Sequence, residues 1–248
     1  MGTAMPEAVA KIRLFVDAPL SAGAEVVVEA QAHYLVNVMR QAAGDAVKLF
    51  NGRDGEWLAL IEAAGKRRCA LRCVERTAPL RLPPDLTLLF APIKKARTDF
   101  IVEKAAELGA RAVQPVLTEF TNSERVRVEK LRAHAIEAAE QCGGTFVPDV
   151  RPPRKLREVL DAWPAERRLM FCDERMEAPT AQDALSGGPS GPWAILIGPE
   201  GGFSDAEAAR IRGMETTLSV TLGPRILRAD TAAVAALTLW QAALGDWR

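Results

Sequence analysis

Two loops of one kind near the carboxyl end of the chain constrain its fold more than any other feature. The first, residues 198–204 (Gly-Pro-Glu-Gly-Gly-Phe-Ser), follows the apolar run 193–197, and the second, residues 222–231, has the sequence Leu-Gly-Pro-Arg-Ile-Leu-Arg-Ala-Asp-Thr. Each loop leaves a segment that has the character of a buried strand, turns at Gly and Pro, and opens a helix. Loops after parallel strands meet at one edge of a sheet, where α/β proteins bind ligands. The pair therefore predicts a ligand site.

The amino-terminal part of the chain has the pattern of short strands separated by turns. Strands are predicted at residues 12–16, 25–29, 46–50, 57–61 and 69–74. The dipeptides Asn51-Gly52 and Asp54-Gly55 are typical of hairpin turns, and residues 31–40 have the apolar spacing of a short amphipathic helix. This part is predicted to form a small, mostly β unit, a barrel.

A proline-containing segment, Thr77 to Pro84, separates this unit from a part with a different period. Beyond it strands alternate with helices, which indicates an α/β domain with a mainly parallel sheet. Strands are predicted at residues 86–92, 112–117 and 169–172, and helices at 99–108, 129–142 and 155–163. Residues 180–192 are predicted as a polar connection. We expect two domains, 1–80 and 81–248.

Composition and charge exclude several classes of protein. Hydrophobic residues make up 48% and charged residues 26% of the chain, as in ordinary globular proteins. The longest apolar runs are shorter than the roughly 20 residues that cross a membrane, and residues 1–11 lack the pattern of a secretory signal. A cytoplasmic protein is predicted. The 32 basic residues balance the 32 acidic ones, so bulk charge does not indicate a nucleic-acid partner.

No metal site is expected. The chain has four cysteines without a Cys-x-x-Cys spacing and only two histidines, at positions 69, 73, 142 and 172 and at positions 33 and 134. Small buried thiols are more common than such scattered ligands, and unpaired cysteines fit a reducing compartment.

The first loop has two kinds of residue. Ser204 and Glu207 have the spacing of a capping box, which explains both without any chemistry. Gly201-Gly202 is more than a turn needs, and paired glycines let the backbone lie against a ligand, although a purely structural turn is the alternative. The loop lacks a dinucleotide fingerprint, and the chain lacks a P-loop ending. Phosphate chemistry is therefore not indicated.

In the second loop the charged residues Arg225, Arg228 and Asp230 interrupt an apolar frame. An ion pair at the start of a helix, with Asp230 or Thr231 as N-cap, is the structural explanation. The helix that follows, Ala232 to Leu244, is apolar almost all round, so it must be buried on more than one side. It lies either in the core or in a subunit interface, and an interface is favoured.

The two loops together closely resemble the signature loops of the bacterial 16S rRNA (uracil-N3)-methyltransferase family, in the SPOUT superfamily of S-adenosylmethionine-dependent enzymes. Other stretches of the chain agree with that family. They are residues 13–15, 33–40, 44–45, 91–94, 103–109 and 137–142.

The resemblance implies a fold that periodicity cannot show. It implies an N-terminal PUA-like β-barrel that helps to hold RNA, followed by a SPOUT α/β domain with a C-terminal trefoil knot at about residues 194–235. Knots are so rare that physical reasoning would not propose one. The resemblance also implies S-adenosylmethionine as cofactor, a homodimer that completes the site, and 16S rRNA of the small ribosomal subunit as substrate.

Site residues are carried over from the family motifs. The residues implied to bind the cofactor are Leu196, Gly198, Glu200, Gly201, Gly202, Leu222, Gly223, Ile226, Leu227 and Thr231. Arg228 is implied to face the reacting centre, where it would stabilise negative charge on the uracil oxygens, with Arg225 assisting or binding phosphate. No general base is identified, although Glu200 and Asp230 are candidates.

RNA contacts are predicted from basic residues. The candidates are Arg13, Arg40, the cluster at residues 66–76 and a second cluster formed by Lys94, Lys95 and Arg97. A solvated strand face and a helix entrance explain the two clusters at least as well. The chain departs from the family in having Asp230 where Glu is common, and in lacking basic residues near Phe120 and Gly144. Two rivals stay open: a SPOUT enzyme that methylates a ribose 2′-hydroxyl, and a noncatalytic RNA-binding or ribosome-assembly protein.

Overall fold

The computed structural model describes residues 10–122, 126–175 and 177–247. The chain forms two compact units. The first reaches to Leu82 and also includes Ala139–Phe146, and the second comprises Pro83–Ala138 and the chain from Val147 onward. Residues 1–9 lie outside the described residues. The prediction that residues 1–11 hold no secretory signal therefore falls mostly on residues that the structure does not describe. Among the described residues no helix is long and apolar enough to cross a membrane.

The first unit is built on one five-stranded sheet. Its strands are β1 (Arg13–Phe15), β2 (Glu25–Val28), β3 (Ala46–Phe50), β4 (Glu56–Ala64) and β5 (Cys69–Ala78). They are ordered β1-β3-β4-β5-β2, with β1 parallel to β3 and the other neighbours antiparallel. The β3–β4 hairpin turns at the two predicted dipeptides, where Gly52 and Gly55 have φ angles of 74° and 84°. Alternate strand residues fill one core, as period-two patterning requires.

The helix predicted at residues 31–40 is present but shorter than predicted. The structure has a short π-helical turn, Tyr34–Val38, in which the Met39 amide donates to the Tyr34 carbonyl. Val36 and Val38 are β-branched and disfavour an α-helix, and Arg40 ends the turn with a φ of 55°. Only Leu35 of this turn is buried.

The second unit contains a wholly parallel sheet among its described strands. These are β6 (Leu86–Phe90), β7 (Ala112–Leu117), β8 (Asp149–Val150), β9 (Arg154–Lys155), β10 (Arg168–Cys172), β11 (Trp193–Ile197) and β12 (Thr217–Val220). Their order is β12-β10-β11-β6-β7-β8, with β9 beside β7. The predicted α/β class with a mainly parallel sheet is therefore confirmed.

Helices cover both faces of this sheet. They are α1 (Lys95–Glu107), α2 (Val128–Cys142), α3 (Leu156–Asp161), α4 (Ala181–Leu185), α5 (Asp205–Arg212) and α6 (Ala229–Leu244). Residues of α1, α2, α4 and α6 share one core with Trp193, Ile195 and Ile197 of β11. Residues of α3 and α5 share another with Ala194 and Leu196. Because side chains alternate along β11, these two cores lie on opposite faces of the sheet.

Two local predictions in this unit are wrong. Residues 180–192 are not only a polar connection, because they include α4, whose Asp183 amide donates to the Thr180 hydroxyl. A helix of little more than one turn is too short to show a period. The last helix has Arg228, not Asp230 or Thr231, as its N-cap. The extended backbone of Arg228 places its carbonyl 2.7 Å from the Ala232 amide, and no side chain caps the helix.

The last helix buries one stripe of its surface within the chain. Its buried residues include Ala233, Leu237, Trp240 and Gln241. The Gln241 amide nitrogen, which is fully buried, donates to the Leu108 carbonyl at 2.6 Å and so satisfies the end of α1. Several apolar residues on the remaining side are only partly buried.

A buried ion-pair network holds the first unit together. Arg13 donates to the Glu56 carboxylate at 2.6 Å, and to the carbonyls of Ala139, Glu140 and Gly144 at 2.7 to 2.8 Å. The last three residues belong to the end of α2 and the turn after it, whose carbonyls have no partner within the helix. Lys48 lies 3.0 Å from Glu56. The Arg13 guanidinium therefore satisfies a carboxylate and a helix end at once.

This network predicts a pH dependence of stability. Burial alone would raise the pKa of Glu56, but hydrogen bonds from Arg13, Thr77 and Lys48 outweigh it and hold that pKa below its ordinary value of 4.5. The stabilisation is therefore present above the ordinary value and is lost as the pH falls through the folded-state pKa. Urea unfolding measured from pH 7 downward is expected to show this loss, and Glu56→Gln should flatten it. If the unfolding free energies of the wild-type protein and of Glu56→Gln change with pH in the same way, Glu56 is not the source of the pH dependence.

Candidate active site at the carboxyl edge of the parallel sheet

Both sequence loops border a single cavity in the second unit. The first loop follows β11 and the second follows β12, and β10 lies between these strands in the sheet. The cavity has a volume of about 300 Å³, which is at the lower end for small-molecule sites. We call it the loop cavity. It lies beyond the carboxyl ends of the strands, which is where parallel sheets bind ligands.

Most of the predicted site residues meet there. The lining residues are Cys172, Asp173, Glu174, Ile197, Gly198, Pro199, Glu200, Phe203, Leu222, Gly223, Arg225, Ile226, Leu227, Arg228, Ala229 and Ala232. Four predicted residues are not among them: Leu196, Gly201, Gly202 and Thr231. Leu196 is fully buried in the core shared with α3 and α5, and its neighbour Ile197 lines the cavity instead.

Sequence reasoning missed the residues that end β10. Cys172, Asp173 and Glu174 complete the cavity between the two loops. Asp173 is held by Arg212 of α5, whose Nε lies 2.7 Å from the carboxylate. The sequence did contain a signal for this site. Asp173 and Glu174 directly follow the predicted buried strand at residues 169–172, just as each of the two loops follows a predicted strand. The same edge-of-sheet rule finds them.

Cys172 is a partly buried thiol in the wall of the cavity. Burial raises the pKa of its thiol to about 12, so the thiol is protonated and lacks the reactivity of a thiolate. Within the described ranges no group of three or more His, Cys, Asp or Glu residues could hold a metal ion. The charged side chains that line the cavity are those of Asp173, Glu174, Glu200, Arg225 and Arg228.

Arg97 joins the two loops from the first turn of α1. Its guanidinium forms an ion pair with Glu200 of the first loop and lies 3.8 Å from Asp230 in α6. Glu200 and Asp230, the two candidate bases, are therefore both held as ion-pair partners. Arg97 itself was predicted to contact RNA, and this geometry favours a positioning role.

The capping box predicted for α5 is confirmed. The Ser204 hydroxyl accepts from the Glu207 amide, and the Glu207 carboxylate accepts from the Ser204 amide. The same carboxylate also accepts from the Glu119 amide at 2.9 Å. The first loop is thereby fixed where it enters the helix.

Four glycines of the two loops differ in what surrounds them. A Cβ on Gly198 would lie 2.6 Å from the Phe203 ring, and a Cβ on Gly202 would lie 1.9 Å from a carboxylate oxygen of Glu174. Gly201 is exposed, and its nearest contact, at 3.5 Å, is ordinary. Gly223 has a φ of 120°, and a Cβ added to it would meet no atom within 4 Å. The backbone of Gly223 therefore borders the cavity directly, with no side chain between them.

The second loop presents two unpaired cations and an apolar side chain. Arg225 and Arg228 line the cavity and are exposed, and neither has an ion-pair partner in the part of the chain that the structure describes. Between them Ile226 is 75% exposed. An exposed large apolar side chain at the rim of a cavity is typical of a surface that another molecule covers.

The two neighbouring glycines of the first loop supply a matched test. Gly202→Ala would combine an unfavourable φ of 71°, which costs about 1–2 kcal/mol, with displacement of Glu174 from the cavity wall. We expect Gly202→Ala to lower both the affinity for S-adenosylmethionine, the cofactor that the family resemblance implies, and the melting temperature. Gly201→Ala should change neither, because its Cβ has space. Isothermal titration and thermal unfolding check this, and equal effects of the two substitutions would contradict it.

The other predicted RNA contacts are distributed over both units. In the first unit Arg13 is 13% exposed and is bound in the Glu56 network, which favours a structural role. Arg40 is exposed at the end of the π-helical turn, and Lys66, Arg67 and Arg68 are exposed too. Arg72 of the same cluster pairs with Glu62. In the second unit Lys94 is exposed at the N-cap of α1. The RNA roles of these residues stay predictions.

Comparison with known proteins identifies the family. A family model described as the RNA methyltransferase domain matches residues 80–241, and one described as the RNA methyltransferase PUA domain matches residues 29–72. The chain belongs to this RNA methyltransferase family. The family predicted from the two loops is thereby confirmed.

Relatives of this RNA methyltransferase carry a more specific name. Proteins from Rickettsia conorii and from a Synechocystis species, both called ribosomal RNA small subunit methyltransferase E, are 29% and 34% identical to it. The alignments cover 91% and 84% of this chain, and 93% and 69% of the relatives. The crystal structure of a ribosomal RNA small subunit methyltransferase E from Neisseria gonorrhoeae, bound to S-adenosyl methionine, aligns with a TM-score of 0.86 at 28% identity. That alignment covers 96% of this chain and 99% of the other.

Proposed function

We propose that this protein transfers a methyl group from S-adenosylmethionine to N3 of a specific uridine in 16S rRNA of the small ribosomal subunit. The observation that carries the proposal is the loop cavity, because it brings the two signature loops and their unpaired arginines to one place. The names of the relatives and the cofactor in the Neisseria structure support the same reaction.

The residues of the loop cavity fit S-adenosylmethionine. The bare face of Gly223 leaves room for a ligand that lies against the backbone, and Leu222, Ile226 and Leu227 offer apolar surface. The carboxylate of Glu174, which lines the cavity, complements a positive charge. These residues would hold the cofactor, together with Gly198 and Glu200 of the first loop. When bound, the cofactor supplies a methyl group made electrophilic by its positive sulfur, which needs no metal.

We assign to Arg228 the stabilisation of the uracil ring while its N3 reacts. Uracil N3 carries a proton at neutral pH and becomes a good nucleophile only as that proton leaves. The negative charge that develops on the carbonyl oxygens next to N3 needs a fixed positive partner. Arg228 is exposed at the cavity and free of ion pairs among the described residues. Arg225, three residues earlier, assists it or binds a phosphate.

No residue of the chain is assigned as the general base. The two candidates, Glu200 and Asp230, both lie within ion-pair distance of Arg97. The proton of N3 therefore leaves to solvent or to a group outside the described contacts.

The finer architecture is part of the proposal. We assign residues 1–80 to a PUA-like β-barrel that holds RNA and residues 81–248 to a SPOUT domain knotted at about 194–235, in a cytoplasmic homodimer. The PUA family match supports the first assignment. The exposed Ile226 and the partly buried apolar side of α6 support the dimer, because such surfaces are buried between subunits.

The decisive experiment is methyl transfer onto small ribosomal subunits that lack the modification, followed by nucleoside mapping by mass spectrometry. N3-methyluridine is the expected product. A 2′-O-methylated nucleoside would replace the proposal with its nearest rival, the ribose methyltransferase. If titration calorimetry finds no binding of S-adenosylmethionine, the protein is a noncatalytic RNA-binding or ribosome-assembly factor.

A further inference from the structure

A second cavity lies at the same edge of the parallel sheet. It has a volume of about 590 Å³. Its lining residues follow β6 or surround the starts of α1 and α2: Ile93, Lys94, Lys95, Thr98, Asp99, Asn122, Val126, Arg127, Lys130 and Leu131. We call it the basic cavity. Since β6 is the sheet neighbour of β11, and strands are about 5 Å apart, it lies beside the loop cavity.

The basic cavity has a strong excess of positive charge. Lys94, Lys95, Arg127 and Lys130 are exposed, and none of them has an ion-pair partner among residues 10–122, 126–175 and 177–247. Asp99 is the single carboxylate in the described lining, and it lies 3.5 Å from Nε2 of His134. Four cations that face solvent without partners attract an anion.

The backbone adds to this charge. Both α1 and α2 begin at the basic cavity, since Lys95 and Val128 are their first residues. No side chain caps α1, and its first turn contains no acidic residue. A helix N-terminus carries about half a positive charge and unsatisfied amides. The apolar walls formed by Ile93, Val126 and Leu131 strengthen the attraction, because they exclude water from part of the cavity.

We propose that the basic cavity binds the phosphodiester backbone of the RNA substrate beside the nucleotide whose base lies in the loop cavity. This inference rests on the proposed function. The four cations are spread over two helix starts in an open cavity, which suits a chain of phosphates better than one small anion. The RNA footprint thereby gains Arg127 and Lys130. Arg97, on the same helical turn, positions the loops instead, since Glu200 and Asp230 occupy it.

The test compares two double substitutions that remove equal charge. Arg127→Gln with Lys130→Gln neutralises half of the basic cavity. Arg157→Gln with Arg210→Gln is the control, because α3 and α5 cover the opposite face of the sheet. Binding of the fluorescently labelled protein to 16S rRNA is measured by anisotropy at several salt concentrations. Methyl transfer to subunits and calorimetry with S-adenosylmethionine accompany it.

We expect the cavity variant to bind RNA about tenfold more weakly, with a salt slope smaller by about 1.5. Its KM for subunits should rise, while its kcat and its affinity for S-adenosylmethionine stay close to those of the control. The proposal is overturned if RNA affinity and salt slope match the control. It is also overturned if the variant loses only binding of inorganic phosphate, since the site then serves a free anion. If the wild-type protein binds RNA normally but transfers no methyl group, the proposed function is wrong and the proposed role of the basic cavity in binding RNA still stands.

Discussion

Replacing Arg228 by alanine is expected to lower the rate of methyl transfer by about 10²- to 10³-fold, the usual effect of removing one group that stabilises a developing oxyanion. The loss should appear in kcat, because the charge on the uracil oxygens develops only as N3 loses its proton. Single-turnover kinetics on small subunits measures it. Affinity for S-adenosylmethionine, measured by calorimetry, should change far less.

Two further variants separate this role from a general effect of charge. Arg228→Lys keeps the positive charge but loses the planar fork of donors, so it should restore part of the rate. Arg157→Ala, on the opposite face of the sheet, should have no effect. A full rate of transfer by Arg228→Ala would remove this residue from the chemistry.

Replacing Arg13 by methionine is expected to cost about 3–5 kcal/mol of unfolding free energy, as removal of one partner from a buried ion pair does. Methionine keeps much of the apolar part of the arginine side chain, so the loss of unfolding free energy measures the contribution of the guanidinium group. The change leaves Glu56, which is 5% exposed, without its closest cation, and three helix-end carbonyls without a donor. Urea unfolding measures the effect.

The matched control for Arg13 is Arg72→Met in the same sheet. Arg72 pairs with Glu62, but both side chains are well exposed, at 47% and 39%. Solvent screens such a pair, so this substitution should leave the unfolding midpoint in place. A further variant, Arg13→Met with Glu56→Gln, should recover part of the loss, because it removes the unpaired buried charge. If Arg13→Met and Arg72→Met are equally stable, the network does not hold the unit.

The sequence predicted those parts of the fold that depend on local pattern. The strand at residues 112–117 was placed at its observed ends, and the two loops were placed at the sheet edge where they meet. Both follow from periodicity and turn chemistry. The starts of α1 and of α6 were less accurate, because neither helix has a capping side chain to mark it.

What the sequence did not predict depends on distant partners. Arg97 and Glu200 are 103 positions apart, and Arg13 reaches carbonyls more than 120 positions away. Nothing in the local sequence distinguishes these arginines from Arg40 or Lys94, so all four were predicted to contact RNA. Only packing shows which cations are satisfied within the protein and which are free to bind an outside anion.

The placement of Arg97 has a consequence for how a ligand in one cavity affects binding in the other. Its side chain holds both loops of the loop cavity, while the same end of α1 carries Lys94 and Lys95 of the basic cavity. The two cavities thus share one helical turn. Any shift of that turn on filling one cavity changes the free energy of filling the other, and thermodynamic linkage makes the change equal in both directions.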